Sequence, residues 1–159
     1  MVLKIEKYAT ELGTYLTQNN WFLVTAESCT GGWIAQAMTA IAGSSAWFER
    51  GFVTYSNTAK QEMLGVRAET LAKYGAVSEQ VVLEMVNGAI QHSQSQVGIA
   101  TSGIAGPTGG TVAKPVGTVW IAYALPDNTY AQLHHFHGDR QSIREQTVVT
   151  ALQQFSSYN

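Results

Sequence analysis

Short apolar runs alternate with helical patterns along this chain, and that alternation restricts the possible fold more than any other feature. Apolar runs at 21–26, 51–56 and 97–102 predict buried strands. Two further runs, 117–125 and 129–137, predict a hairpin closed by a Pro-Asp-Asn turn. Helical spacing of apolar residues occupies the remaining segments, namely 3–18, 33–43, 58–64, 68–75, 79–93 and the residues after 139. The pattern predicts an α/β fold, a three-layer α/β/α sandwich with a mixed β-sheet.

Polar residues and glycines mark where the predicted helices begin and end. Asn57, Ser78 and Asp139 precede helical segments, and their side chains are of the kind that accept hydrogen bonds from helix N–H groups. The expected helix ends are Asn19-Asn20, Gly43 and Gly65.

Charge is scarce in this chain. Only 13% of the 159 residues are charged, where about 25% is usual, and the net charge is −2. A protein that binds nucleic acid through a basic face is therefore not expected. The N-terminal residues are not followed by the apolar segment of a secretory signal, and no apolar stretch approaches the length of a membrane span. We expect one domain, 1–159, in the cytoplasm, where the lone Cys29 would stay reduced, with neither membrane nor nucleic acid as a partner.

Three loops should hold the chemistry, because ligands of such sheets bind beyond the carboxyl ends of the strands. The first loop, 25–32, turns from a buried strand into a helix and carries Ser28 at the turn. This geometry suits a serine nucleophile beside helix N–H groups that hold an anion. Two alternatives stay open at this point: Ser28 or Thr30 only caps the helix, and Cys29 is either a rival nucleophile or a small packing residue.

The second loop, 53–60, offers groups that could take a proton from a serine. No histidine lies near this loop or near Ser28 in the sequence. Lys60, in the first turn of the following helix, can serve as a base if burial lowers its pKa. Tyr55 is placed to relay a proton or to stabilise developing charge. The alternative is that Lys60 is an ordinary exposed lysine on an amphipathic helix.

The third loop, from Ser102 to Gly117, is rich in glycine. Glycines let a ligand approach the backbone, and the N–H groups of such a loop can hold an anion. The spacing matches neither the P-loop nor the dinucleotide-binding fingerprint. A flexible connection explains the same composition equally well.

Histidines and arginines near the end of the chain raise two further ligand hypotheses. His134, His135 and His137 lie on the last predicted strand without a cysteine at ligand spacing, so an exposed strand face is favoured over a metal site. Arg140 and Arg144 lie one helical turn apart, where they either reach an anionic ligand or remain solvated.

Six segments taken together resemble the CinA carboxy-terminal-domain family. They run in chain order as AESCTGG (26–32), IAGSSAWF (41–48), GFVTYSN (51–57), YGAVS (74–78), SGIAGP (102–107) and KPVGTV (114–119). Any one of them would be weak support, but six in this order are specific and run through most of the chain. Thr108 departs from the family pattern, in which Asp or Gly commonly follows the Gly-Pro pair.

The resemblance implies an α/β/α sandwich, hydrolysis without a metal or other cofactor, a small-molecule nucleotide substrate and commonly a homodimer or higher homo-oligomer. The family includes nicotinamide-nucleotide amidases, which convert nicotinamide mononucleotide to nicotinic acid mononucleotide and ammonia. By position, the resemblance implies Ser28 as nucleophile, Lys60 as general base and Tyr55 as its helper. The implied substrate-binding residues are Glu27, Thr30, Gly31, Gly32, Ser102, Gly103, Ile104, Ala105, Gly106 and Arg140.

Three functions remain to be distinguished at this stage. The first is an amidase for nicotinamide mononucleotide, and the second is an amidase for another pyridine or pyrimidine nucleotide. The third is a nucleotide-binding protein without turnover that acts in competence- or damage-related regulation.

Overall fold

The computed structural model describes residues 1–158, in which helices and strands follow the predicted alternation. The helices are α1 (Val2–Asn19), α2 (Trp33–Thr39), α3 (Asn57–Leu64), α4 (Ala68–Tyr74), α5 (Glu79–Gln91) and α6 (Arg140–Gln153). The strands are β1 (Leu23–Glu27), β2 (Phe48–Val53), β3 (Val97–Gly103), β4 (Thr118–Leu125) and β5 (Asn128–His135). Short 3-10 turns cover Ser44–Ala46 and Gln154–Tyr158.

The strands form one mixed sheet in the order β2-β1-β3-β4-β5. β1 pairs in parallel with β2 and β3, whereas β3 with β4 and β4 with β5 are antiparallel. In register, Glu27 at the end of β1 lies beside Val53 of β2 and Thr101 of β3. The carboxyl ends of the three parallel strands therefore meet at one edge, and this brings together the loops that follow β1, β2 and β3.

Helices cover both faces of this sheet, as predicted for a three-layer sandwich. The connection from β1 leads to β2 at the edge of the sheet, and the connection from β2 returns past β1 to β3 on its other side. Because such crossovers are right-handed, opposite directions of travel place the connecting helices on opposite faces. One apolar core accordingly contains residues of α1, α2 and α6, and the other contains residues of α3, α4 and α5.

Small residues let α5 lie close to the sheet and to α3. The sheet face beneath α5 presents Gly98, Ala100 and Ala122, and a Cβ added at Gly98 would come within 3.0 Å of the Val86 side chain. Within α5, Gly88 lies against the main chain at the end of α3, where any Cβ would overlap the Leu64 carbonyl. This close approach sets the position of α3, the helix that carries Lys60.

Most of the predicted helix ends are confirmed. Ser78 and Asp139 accept hydrogen bonds from the N–H groups of Val81 at 3.2 Å and Ser142 at 2.8 Å. Asn20 and Gly65 end α1 and α3 in the left-handed conformation, with φ of 55° and 69°. The predicted cap of α3 is wrong by one residue, because the side chain of Ser56, not Asn57, accepts the Ala59 N–H.

Two elements have bounds that differ from the prediction. α2 ends at Thr39 rather than near Gly43, which has φ of 85° and begins the 3-10 turn instead. β2 begins at Phe48, earlier than predicted. The prediction missed its first residues because β2 is an edge strand, in which the charged Glu49 and Arg50 interrupt the apolar pattern.

Within residues 1–158, no helix combines the length and the apolar character needed to cross a membrane.

Candidate active site

Ser28 and Lys60 meet at the edge where the parallel strands end. The Nζ atom of Lys60 lies 3.0 Å from the Oγ atom of Ser28, and it also donates to the main-chain carbonyls of Thr54 at 3.1 Å and Tyr55 at 3.3 Å. The Ser28 N–H donates to the Thr101 carbonyl, which holds the turn after β1 against β3. The structure therefore brings the two predicted residues into direct contact and rejects the alternative of an exposed lysine.

Burial is the physical reason that Lys60 can act as a base. The residue is only 1% exposed, and no carboxylate within residues 1–158 forms an ion pair with it. Because burial penalises the ammonium form, the pKa of Lys60 lies below its ordinary value, although the nearby Cys29 opposes the shift. A neutral Lys60 amine keeps its two N–H bonds for the Thr54 and Tyr55 carbonyls and turns its lone pair to the Ser28 hydroxyl.

Cys29, the rival nucleophile, lies in an environment that keeps its thiol protonated. Its side chain is buried, and burial raises the pKa of the thiol to about 12. A thiol with such a pKa is almost entirely protonated at neutral pH, and the thiol is a much weaker nucleophile than the thiolate. The environment of the pair therefore favours Ser28 as the nucleophile.

Glu27, which the resemblance implies as a substrate-binding residue, anchors the helix that follows Ser28. Its fully buried carboxylate accepts hydrogen bonds from the N–H groups of Ile34 at 2.8 Å and Ala35 at 3.0 Å, and from the Thr30 hydroxyl at 2.7 Å. Thr30 is likewise buried and also contacts Thr101. The interpretation of Ser28 or Thr30 as the helix cap is wrong, because neither side chain accepts a hydrogen bond from the first N–H groups of α2, which the Glu27 carboxylate binds instead.

This capping changes where an anion can be held. Glu27 occupies donors in the first turn of α2, so that turn is not available to a substrate phosphate. The N–H groups of Thr30 and Gly32 donate to no acceptor within residues 1–158. Together with the Cys29 N–H, which also has no acceptor within residues 1–158, they are main-chain donors of the first loop that could stabilise an oxyanion beside Ser28.

A groove of about 400 Å³ opens beside Ser28. Arg140 and Arg144 of α6 line it together with Ser28, Cys29, Gly31, Val53 and Tyr55. Arg140 donates to the Gly106 carbonyl at 2.8 Å and to the Tyr55 hydroxyl at 3.0 Å. The Tyr55 hydroxyl thus faces Arg140, while only the main-chain carbonyl of Tyr55 contacts Lys60, so its phenol is not placed to relay a proton from that amine.

The third loop contributes less to this groove than predicted. Ser102 is buried and donates to the Ala76 carbonyl, and a Cβ at Gly103 would come within 2.6 Å of Val119. Ile104 exchanges main-chain hydrogen bonds with Thr118 and Gly117, which tie the loop to the start of β4. Ala105 belongs to the apolar core between the sheet and α1, α2 and α6. Of the predicted segment Ser102–Gly106, only Gly106 reaches the groove region, through its carbonyl contact with Arg140.

The two glycines of the first loop also lie in different surroundings. Gly31 lines the groove with φ of 62°, whereas Gly32 has φ of 95° and packs against the Val53 side chain. Both conformations are left-handed and therefore favour glycine.

The histidines do not form a metal site with other ligands. β5 ends at His135, so His137 lies beyond the strand on which all three histidines were predicted. His134 stacks on Phe136 with a centroid distance of 5.3 Å. In the part of the chain that the structure describes, no three His, Cys, Asp or Glu side chains converge where an ion could bind.

Sequence reasoning assigned no role to two groups that shape this site, and it left the role of a third, Arg144, open. The carbonyl of Thr54 has no side-chain signature and could not have been found. Val53 is identifiable only as the last residue of β2. Arg144 was signalled by its position one turn after Arg140, although the spacing alone did not separate a groove residue from a solvated one.

The chain is similar to curated proteins and to solved structures over nearly its whole length. The sequence profile of the CinA C-terminal domain family matches residues 5–158. "Nicotinamide-nucleotide amidohydrolase PncC" from Escherichia coli (strain K12) is 54% identical over 144 residues, which cover 90% of this chain and 87% of that protein. The protein of the same name from Enterobacter agglomerans is 52% identical over 151 residues, covering 94% and 92%. A crystal structure of competence/damage inducible protein CihA from Agrobacterium tumefaciens has a TM-score of 0.94 at 46% identity, covering 97% of this chain and 94% of that one.

Proposed function

The chain belongs to the CinA C-terminal domain family, and on this premise we propose that it hydrolyses the carboxamide of nicotinamide mononucleotide to give nicotinic acid mononucleotide and ammonia. The observation that carries the proposal is the 3.0 Å contact between Lys60 Nζ and Ser28 Oγ, in a site where no carboxylate of residues 1–158 pairs with the lysine. The names of the curated relatives supply the substrate.

The reaction begins with a tetrahedral intermediate at the carboxamide carbon, which becomes an acyl-enzyme once ammonia has left. The neutral Lys60 amine takes the proton of Ser28 as its Oγ attacks the carboxamide carbon. The carbonyl electrons move to oxygen, and the Thr30 and Gly32 N–H groups stabilise that oxyanion. Removal of one such donor typically costs about 10²–10³ in rate, so these amides matter about as much as the proton transfer.

The second half releases the products. The Lys60 ammonium returns its proton to the amide nitrogen, and ammonia leaves as the carbon–nitrogen bond breaks. Water, deprotonated by the same amine, then attacks the acyl carbon and releases the carboxylate and the free Ser28 hydroxyl. One water molecule is consumed for each carboxamide hydrolysed.

Arg140 gives the groove its preference for a phosphorylated substrate. Its guanidinium is exposed at the mouth of the groove, between Tyr55 and Gly106. A planar guanidinium suits bidentate contact with phosphate oxygens. The Tyr55 ring forms a wall of the groove, and the Tyr55 carbonyl orients Lys60.

We also propose properties of the whole protein. Residues 1–159 act as a single amidase domain without a cofactor, in the cytoplasm, as a homodimer or higher homo-oligomer. The net charge of −2 and the low content of charged residues support a protein that binds neither nucleic acid nor a membrane surface.

The activity is tested directly with purified protein and nicotinamide mononucleotide. We expect equimolar ammonia and nicotinic acid mononucleotide, and we expect Ser28→Ala to abolish both. The control is Ser45→Ala, which changes an exposed serine of the 3-10 turn Ser44–Ala46 that does not line the groove, and it should leave turnover unchanged.

The assay distinguishes the three candidate functions and tests the role of Ser28. No product from folded wild-type protein, with binding still seen by calorimetry, would favour the nucleotide-binding protein without turnover. Faster ammonia release from another pyridine or pyrimidine nucleotide would show that this nucleotide, and not nicotinamide mononucleotide, is the preferred substrate. Undiminished turnover by Ser28→Ala would remove Ser28 from the mechanism.

A further inference from the structure

Arg144 makes contacts that differ in kind from those of Arg140, its neighbour on α6. Its Nε donates to the Cys29 carbonyl and its Nη2 donates to the Thr30 carbonyl, each at 3.1 Å. Its guanidinium also lies over the Trp33 ring, 5.4 Å from the centroid. Arg144 therefore touches three residues of the segment that follows Ser28.

These contacts fix two successive peptide planes beside the nucleophile. In a trans peptide the N–H group points opposite to the carbonyl, so holding the Cys29 carbonyl fixes the direction of the Thr30 N–H. Holding the Thr30 carbonyl likewise fixes the Gly31 N–H, which donates to the Ser28 carbonyl at 3.0 Å. Within residues 1–158 the Thr30 N–H has no acceptor, which leaves it free to contact the oxyanion of the proposed reaction.

A lysine in place of Arg144 could not form the same pair of contacts. Two carbonyls from adjacent residues are matched by two nitrogens of one rigid planar fork, whereas an ammonium is a single point on a flexible stem. The flat guanidinium also stacks on Trp33, which holds the fork in place.

We propose that Arg144 is a positioning residue for the nucleophile loop: it aims the Thr30 N–H and holds the Ser28 turn in its reactive geometry. This inference deepens the proposed amidase function and rests on it only for the natural substrate. The effect of Arg144 on the reactivity of Ser28 can be measured without that substrate.

The test compares Arg144→Lys with Arg140→Lys in two assays. The first assay measures kcat and KM with nicotinamide mononucleotide. The second measures the rate at which phenylmethylsulfonyl fluoride, which carries no phosphate, labels Ser28; the Ser28 oxygen–sulfur bond forms, fluoride leaves, and Lys60 takes the proton. Ser28→Ala identifies the labelled site, and Arg67→Lys, in the ion pair with Glu84, is the control for an arginine-to-lysine change elsewhere.

We expect Arg144→Lys to lower kcat and the labelling rate together, by about 10–100-fold, because small displacements of reacting groups cost about that much. We expect Arg140→Lys to raise KM and to leave the labelling rate near that of the wild type. If Arg144→Lys raises only KM and is labelled at the wild-type rate, then Arg144 binds substrate and the inference is wrong. If wild-type protein is labelled at Ser28 and Arg144→Lys slows the labelling, the inference holds even where nicotinamide mononucleotide is not hydrolysed.

A second variant separates positioning from a loss of folding. Arg144→Ala leaves a half-exposed space beside the two carbonyls, and low millimolar guanidinium should restore part of the labelling rate. Sodium chloride at the same ionic strength should not. Equal recovery with both salts would contradict a specific contact with the carbonyls, and thermal unfolding of each variant checks that the fold is retained.

Discussion

Lys60 is the residue whose chemistry depends most on its surroundings. A lysine in water is protonated at neutral pH and cannot remove a proton from serine. Here the side chain is buried and held by two carbonyls and Ser28, and no carboxylate among the described residues forms an ion pair with it. Desolvation therefore lowers its pKa, and the same burial fixes the direction of its lone pair.

The pH dependence of the reaction follows from this shift. The neutral form of Lys60 is the active base, and its fraction grows as pH rises through the lowered pKa. We expect kcat to increase with pH, with the midpoint of the increase below 10.5, the ordinary lysine pKa. A pH–rate profile with nicotinamide mononucleotide measures this, and Lys60→Met should lose turnover at every pH. A profile without this ascending limb would contradict Lys60 as the base.

The reactivity of Cys29 gives a second test of which residue is the nucleophile. Its thiol is buried with a pKa raised to about 12, so folded protein at pH 8 should react with iodoacetamide far more slowly than unfolded protein does. Cys29→Ala should keep most of the turnover. Loss of activity in Cys29→Ala comparable to that in Ser28→Ala would make the thiol the reacting group.

The unit formed by β1, the turn and α2 shows how one element is organised around a buried charge. Glu27 ends β1 and its carboxylate accepts the Ile34 and Ala35 N–H groups, so strand and helix are joined across the nucleophile. Hydrogen bonds to a charged acceptor are worth about 1.5–3 kcal/mol each. The carboxylate beside Ser28 in the sequence thus stabilises the turn between β1 and α2.

Gly88→Ala adds one methyl group between α5 and α3, and it tests whether their close contact is needed for stability and turnover. Gly88 lies where a Cβ would overlap the Leu64 carbonyl at the end of α3. Helix propensity alone predicts that Gly88→Ala stabilises the protein by about 1 kcal/mol. Overpacking against main chain predicts the opposite sign, a loss of about 1–3 kcal/mol, and a lower kcat because α3 carries Lys60.

Urea unfolding and turnover of Gly88→Ala measure the two effects. The control is Asn87→Ala, at an exposed position next to Gly88 on the same helix. A Gly88→Ala protein more stable than the wild type would show that α3 can move aside without cost.

At the scale of the whole molecule, the groove joins parts of the chain that fold onto different elements. The turn after β1, the end of β2 and the start of α6 all contribute to it. A ligand that spans them should stabilise the folded state by mass action, by about 2.7 kcal/mol at a hundred times its dissociation constant.

This coupling predicts a thermal shift in the Ser28→Ala protein. Nicotinamide mononucleotide at that concentration should raise the unfolding midpoint by about 5–10 °C. Nicotinamide riboside, which lacks the phosphate, should raise it much less, because Arg140 then has no anion to bind. Equal shifts with the two ligands would show that phosphate is not recognised at this groove.

The architecture could be predicted from the sequence because its signals are local. Apolar periodicity identified the strands and helices, and Ser78, Asp139 and Gly65 marked helix ends that the structure confirms. The rule that ligands bind beyond the carboxyl ends of parallel strands then placed the Ser28 and Lys60 loops at one edge of the sheet. Errors arose where local signals compete, as at Ser56 and Asn57, or where charged residues break the pattern of an edge strand.

Only the tertiary structure decided what each charged or polar group does. The burial of Lys60, the capping role of Glu27 and the inward turn of Ser102 depend on neighbours brought in by other elements. Arg144 lies 115 residues from the carbonyl of Cys29 that it holds, and Lys60 lies 32 residues from Ser28. Desolvation and hydrogen-bond partners are set by such distant contacts, whereas the periodicity of helices and strands is set by adjacent residues. The sequence therefore determined the framework and the reactive loops, and folding decided which side chains act on the substrate and which hold those loops in place.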